Sequence, residues 1–144
     1  MIADRLKILY EISEGKKPDE ITLLPGAGSN RKYYRLGTDP ELVGTYGSDK
    51  AENMAFIYLC RHFSEKGLPV PRLVAASDDG ECYLQDDLGG ESLFDYIKLG
   101  RDTGEWSEEM TGMLERTISL LPDIQWKGAE GLDFSRCYPV ASID

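Results

Sequence analysis

Residues 25–36 read PGAGSNRKYYRL: two glycines about an alanine, then serine, asparagine and arginine, then a run that mixes basic and aromatic side chains. Such backbone freedom serves one of two ends. Glycines let successive N–H groups converge as a cradle for phosphate, and they equally allow the tight turn of a hairpin. A second candidate is Glu52, which shares a helical stripe with Phe56, Leu59 and Phe63 at i, i+4, i+7 and i+11. That spacing points its carboxylate at or beside the core. A third is the corner Gln85, Asp86, Asp87, Leu88, acidic and followed by two glycines at the end of a strand pattern. His62 is the single histidine and reads as a surface or core-edge residue rather than a metal ligand. Cys60, Cys82 and Cys137 are odd in number, widely spaced and without a CxxC pair, so they read as free thiols.

The elements that must position these groups follow from periodicity. Ile2, Leu6, Leu9 and Tyr10 make a helical stripe from Ile2 to Glu14, stopped by Gly15. ITLLP and RKYYRL form a hairpin across the glycine turn, TDPE makes the next turn, and LVGTY is a third strand. Ser48 caps a helix that runs to about Lys66 and ends at Gly67, Pro69 and Pro71. RLVAAS and CYLQDDLGG are two further strands joined by DDGE, and SLFDYI is a short helix. Trp106, Met110, Met113, Leu114, Thr117 and Leu121 mark a last amphipathic helix, ended by Pro122, with Trp106 and Trp126 expected to be buried. Gly100–Gly104 is the one candidate linker, and a subdomain boundary is expected there. From Gly128 onward the aromatics have no clear period and no closing element follows, so the chain reads as cut.

Size and charge narrow the function classes. A chain of 144 residues is one ordinary domain by length, enough to bury roughly two thirds of its unfolded surface. A net charge of −10 excludes a general nucleic-acid binder, which needs a basic face for phosphate. The opening MIADRLKILYEI has no long apolar core, so neither a signal peptide nor a membrane span is expected, and the cytoplasm is the expected compartment.

Strand, glycine turn, strand, strand, helix with an inward acid, two strands and an acidic corner is an order that resembles the small lobe of a protein-kinase-like fold. GAGSNRKYYRL, AENMAFIYLCRHFSEKGLPVPRLVAAS and CYLQDDLGGESLFDYI are similar to the amino-terminal lobe of the aminoglycoside phosphotransferase and choline kinase family, in particular its bacterial sugar-kinase-like branch. The likeness covers about residues 20–126, and GLPVPRLVA followed by DDLG is its most distinctive part. It implies an α+β fold with a five-stranded antiparallel sheet and a helix packed on it. Residues 1–100 would be a nucleotide-binding small lobe and 101–144 the start of a truncated large lobe.

The resemblance also implies ATP with Mg2+, and a small-molecule acceptor, a sugar or an amino alcohol. In such a lobe Gly26, Ala27, Gly28, Ser29, Asn30 and Arg31 lie over the phosphates, with the Arg31 charge at the rim. The backbone of Gln85, Asp86, Asp87 and Leu88 would be the hinge that reads the adenine edge. Glu52 matches the helix glutamate that pairs with a strand lysine holding the phosphates. Here the chain departs from the pattern: Thr45 and Tyr46 stand where that lysine would be. Arg31, Lys32, Arg35 or Lys50 must then approach Glu52, or it turns to water, because an inward carboxylate without a cation is costly. The family's His-x-Asp-x-x-x-x-Asn loop has no counterpart either, since Asn30 and Asn53 are the only asparagines and neither follows an aspartate at that spacing. No catalytic or metal-binding residue is therefore assigned, and no phosphate transfer is expected of the chain as given. The alternative is a non-catalytic interaction module with a degenerate kinase-like fold. In either case the helix from Trp106 to Leu121 is expected to leave apolar surface exposed, a route to self-association.

Overall fold

The computed structural model describes residues 1–26 and 29–139. In chain order the elements are α1 (Ile2–Glu14), β1 (Ile21–Leu23), β2 (Lys32–Leu36), β3 (Leu42–Tyr46), α2 (Lys50–Glu65), β4 (Leu73–Ala76), β5 (Cys82–Asp86), α3 (Leu93–Tyr96), α4 (Lys98–Thr103) and α5 (Glu108–Ala129). A 3-10 turn follows at Phe134–Arg136. These residues group into two compact units: Met1–Asp87 with the segment from Asp133 onward, and Leu88–Leu132.

The first unit is built on a five-stranded sheet of order β1-β2-β3-β5-β4. Every neighbouring pair is antiparallel. The β1–β2 register, Ile21 opposite Leu36 and Leu23 opposite Tyr34, makes the expected hairpin across the glycine turn. Side chains alternate between the faces of a strand, so each face has its own cover. Leu36, Leu42, Cys82 and Leu84 point to one side and form the core with Leu6, Leu9 and Tyr10 of α1. Gly44 lies in the middle of that face because α1 comes close there. A Cβ at Gly44 would sit 2.7 Å from Leu36 Cδ1 and 3.1 Å from Leu6 Cδ2. On the opposite side, Thr45 and Tyr83 are fully buried, and Tyr83 stacks on Phe56 of α2 with ring centroids 5.0 Å apart.

α2 differs from its expected form in two respects. Its N-cap is Asp49 rather than Ser48, with the Asp49 side chain accepting from the Glu52 N–H. Its buried line runs through Asn53, Ile57 and Cys60, with Ala55, while Phe56, Leu59 and Phe63 are only half-buried. The stripe that includes Glu52 is thus the shoulder of the helix, not its deepest face. A polar residue leads the deep line because it has work to do there: the Asn53 amide donates to Gly47 O at 2.7 Å and to Gly80 O at 2.9 Å. One side chain so joins α2 to the end of β3 and to the β4–β5 turn.

The second unit corrects three expectations. The stretch read as a linker around Gly100–Gly104 is helical as α4, closed by Gly104 in a left-handed conformation. α5 runs through Pro122 to Ala129; a proline forfeits one N–H bond and crowds one carbonyl, and here the turns on either side continue. Nor are the tryptophans buried. Trp106 is about half exposed although its ring lies against Gly100, and Trp126 is 79% exposed. Ile118, Leu120 and Leu121 of α5 are exposed as well. Among the described residues no helix is long and apolar enough to cross a membrane.

Candidate functional site

Where β2 begins, the chain comes up beside the first turn of α2. Asn30, Arg31, Gly47, Ser48, Asp49, Glu52 and Tyr138 line a cleft of about 230 Å³ there. Of the four cations that could meet Glu52, Arg31 does so, with Nη2 3.4 Å from Oε1. Two of the others pair elsewhere: Arg35 holds Asp87 and Glu41, and Lys50 holds Glu81 at 3.6 Å. The Arg31 side chain is only 10% exposed while that of Glu52 is 40% exposed, so the cation is the deeper partner. Its guanidinium also lies 5.6 Å from the centroid of the Phe56 ring, a favourable approach of a cation to a ring face. Thr45 of β3 is buried between Tyr33 and Tyr83 in the ladder, and it brings no charge to this cleft.

Asp49 completes the floor. Its Oδ1 accepts from the Glu52 N–H at 3.0 Å and its Oδ2 from the Tyr138 hydroxyl at 2.9 Å. The backbone bond first, then the tyrosine, holds the Asp49 carboxyl below its usual range, and the same contact raises the Tyr138 phenol. Tyr138 reaches this point because the segment after α5 lies along α2. Asp133 N–H donates to the Tyr58 hydroxyl at 2.8 Å, and the Arg136 guanidinium is 3.8 Å from the centroid of the Tyr58 ring. The sequence carried no periodic signal for this segment, and its role in lining the cleft was not foreseen.

Of the turn residues, Ala27 and Gly28 lie outside the described residues, so the convergence of their N–H groups is not part of the description. Ser29 Oγ accepts from the Arg31 N–H at 3.0 Å, which steadies the arginine's backbone. The acidic corner is apart from this cleft, at the other end of the sheet. Gln85 pairs with Val43 and Leu73 inside the ladder. Asp86 N–H is committed to Arg72 O at 3.0 Å, and the Asp86 carboxylate to the Arg72 side chain at 3.2 Å. Asp87, with a side chain only 5% exposed, is held by Arg35 of β2. Neither carboxylate is a loose solvated acid; each has an arginine. Leu88 is largely exposed.

Other features carry less chemistry. The three cysteines are free thiols, and burial pushes Cys60 and Cys82 up, away from reactive thiolate. His62 is half-buried between the rings of Tyr58 and Phe63. Among the described residues no group of three or more His, Cys, Asp or Glu is placed to hold a metal ion. A larger groove of about 380 Å³ between α1 and β4–β5 is lined chiefly by Ile8, Leu9, Ile12, Ala76 and Cys82, and its one cation, Arg5, is already bound to Asp79 and Glu81.

A five-stranded antiparallel sheet with helices on it makes this an α+β protein, and a cation from the glycine turn meets the glutamate in the first turn of α2, an arrangement that fits the protein-kinase-like class. The family model of the phosphotransferase enzyme family (APH) matches residues 20–136, and the chain belongs to that family. No curated protein matches the chain.

Proposed function

We propose that this chain is the ATP-binding lobe of a small-molecule phosphotransferase whose acceptor is the hydroxyl of a sugar or an amino alcohol. The observation that carries this reading is the Arg31–Glu52 pair, set beside the glycine turn in a chain of this family. In the proposed mode, Gly26, Ala27, Gly28, Ser29 and Asn30 lie over the phosphates with Arg31 at their rim. The corner Gln85, Asp86, Asp87 and Leu88 is the hinge, whose backbone meets the adenine edge. The arginine contacts to Asp86 and Asp87 suit that role, because they turn both carboxylates away from an uncharged base.

A shielded cation with two unused donors, Nε and Nη2 of Arg31, fits a nucleotide phosphate; nothing comparable fits a protein-held metal among the described residues. Mg2+ would arrive with the nucleotide and neutralise charge on the phosphates. The chain's own contribution is binding and orientation. The family's His-x-Asp-x-x-x-x-Asn loop, which would carry the general base for the acceptor, has no counterpart in these 144 residues, so binding without transfer is the activity proposed for the chain as given.

Thermal melting with Mg-ATP, against Mg2+ alone, tests the reading. A ligand that binds only the folded state at about 100 times its Kd adds about 2.7 kcal/mol, a rise of several degrees for a domain of this size. No rise at millimolar Mg-ATP would reject it, and leave the non-catalytic interaction module in its place.

A further inference from the structure

Arg31 is the group of the cleft whose bonding is incomplete. A guanidinium has five N–H donors in a planar fork. Nε and Nη2 of Arg31 are shielded from solvent and donate no hydrogen bond. Glu52 stands 3.4 Å from Nη2, close enough for attraction between charges but without the geometry of a hydrogen bond. The other carboxylate of the cleft, Asp49, accepts from the Glu52 N–H and from the Tyr138 hydroxyl, and it is tied to Arg31 through charge. Two shielded N–H donors without an acceptor are costly, and the guanidinium gains from an anion that supplies one. β3 supplies no competing charge, since the buried Thr45 is a neutral side chain.

We infer that Arg31 takes over the task of the cation missing from β3 and anchors the α- and β-phosphates of the nucleotide as a two-pronged fork. The inference rests on the nucleotide-binding reading above and sharpens it. Discrimination between a nucleoside and its polyphosphate comes from one arginine at the start of β2, with Glu52 as its orienting partner. Arginine grips two phosphate oxygens at once, whereas lysine offers a point charge. The lobe is accordingly selective for diphosphates and triphosphates over the bare nucleoside, and this selectivity depends on the shape of the cation as well as its sign.

Calorimetric titration of adenosine, ADP and ATP, each with Mg2+, into the wild-type chain, Arg31→Met and Arg31→Lys tests this. The expected result is that the wild type prefers ADP to adenosine. Arg31→Met should lose roughly tenfold or more in ADP affinity, the scale of a hydrogen bond to a charged group, with adenosine affinity unchanged. Arg31→Lys should recover only part of the loss. If Arg31→Met keeps the wild-type ratio of ADP to adenosine affinity, the inference is wrong while nucleotide binding stands. If the wild type binds neither adenosine nor ADP, both fall. Should Arg31→Met not fold, Arg31→Lys decides, since equal ADP affinity in the lysine variant and the wild type would remove the case for a fork.

Discussion

Replacing Asn53 by alanine removes a side chain that ties α2 to two other parts of its unit through buried hydrogen bonds. Asn53 is fully buried and donates to Gly47 O and Gly80 O at 2.7 and 2.9 Å. Alanine leaves both carbonyls without that donor, and a buried polar group stripped of its partner costs about 1–3 kcal/mol. Some relaxation follows, so the expected loss is about 2–4 kcal/mol in total. With a urea slope of about 2 kcal/mol per molar, the unfolding midpoint should fall by about 1–2 M. Asn53→Asp sharpens the test. An ionised carboxylate only accepts, so it faces two carbonyls with no donor, and stability should drop at least as far. Protonation returns one O–H donor, so the deficit of Asn53→Asp should narrow as the pH is lowered while that of Asn53→Ala does not. A midpoint for Asn53→Ala within about 0.25 M of wild type, the scale of an ordinary surface change, would refute the reasoning.

Two further changes probe the faces of the sheet. Burial, above all, pushes the Tyr83 phenol from 10.0 up to about 12. The folded chain therefore holds its proton longer than the unfolded chain does; stability is full below pH 10 and declines as the pH rises toward 12, by up to about 3 kcal/mol at about 1.4 kcal/mol per pH unit. Tyr83→Phe should flatten that alkaline slope in denaturant melts followed across the same range. Gly44→Ala should destabilise by about 1–3 kcal/mol, because its methyl would meet Leu36 at 2.7 Å under α1; a melting temperature equal to wild type would show that α1 yields there at no cost.

What could be read from the sequence divides along physical lines. Strands, hairpin and both early helices were legible because alternation and the 3.6-residue repeat are local signals, and Gly15 does close α1 in a left-handed turn. The need of Glu52 for a cation was legible from chemistry, and Arg31 meets it. That Arg35 would go to Asp87 was not, since the two are far apart in sequence and meet only through the β2–β3–β5 register. Asn53 was invisible for a related reason: a polar residue counts against a core position until its two carbonyl partners are known. Pro122 misled because a proline is a strong stop signal by itself, whereas α5 has enough turns on either side to absorb one lost bond. The tryptophans misled because size and hydrophobicity argue for burial, while α5 leaves much of its apolar side uncovered.

α1 ends at Glu14, ahead of the first residue that the family model matches, yet Leu6, Leu9 and Tyr10 are half of the dialogue across the upper face of the sheet. Family resemblance and structural self-sufficiency therefore do not share a boundary in this molecule. A piece cut at residue 20 would keep the motif of its family and leave Leu36, Leu42 and Leu84 open to water, with a hole at Gly44 shaped for a side chain that had been discarded. The helix outside the recognisable region acts as a keystone, and the Arg5 contacts to Asp79 and Glu81 lock it to the β4–β5 turn, the same turn that Asn53 grips from the opposite side. Through that shared turn, the fit of the first helix bears on how firmly the cleft helix is seated.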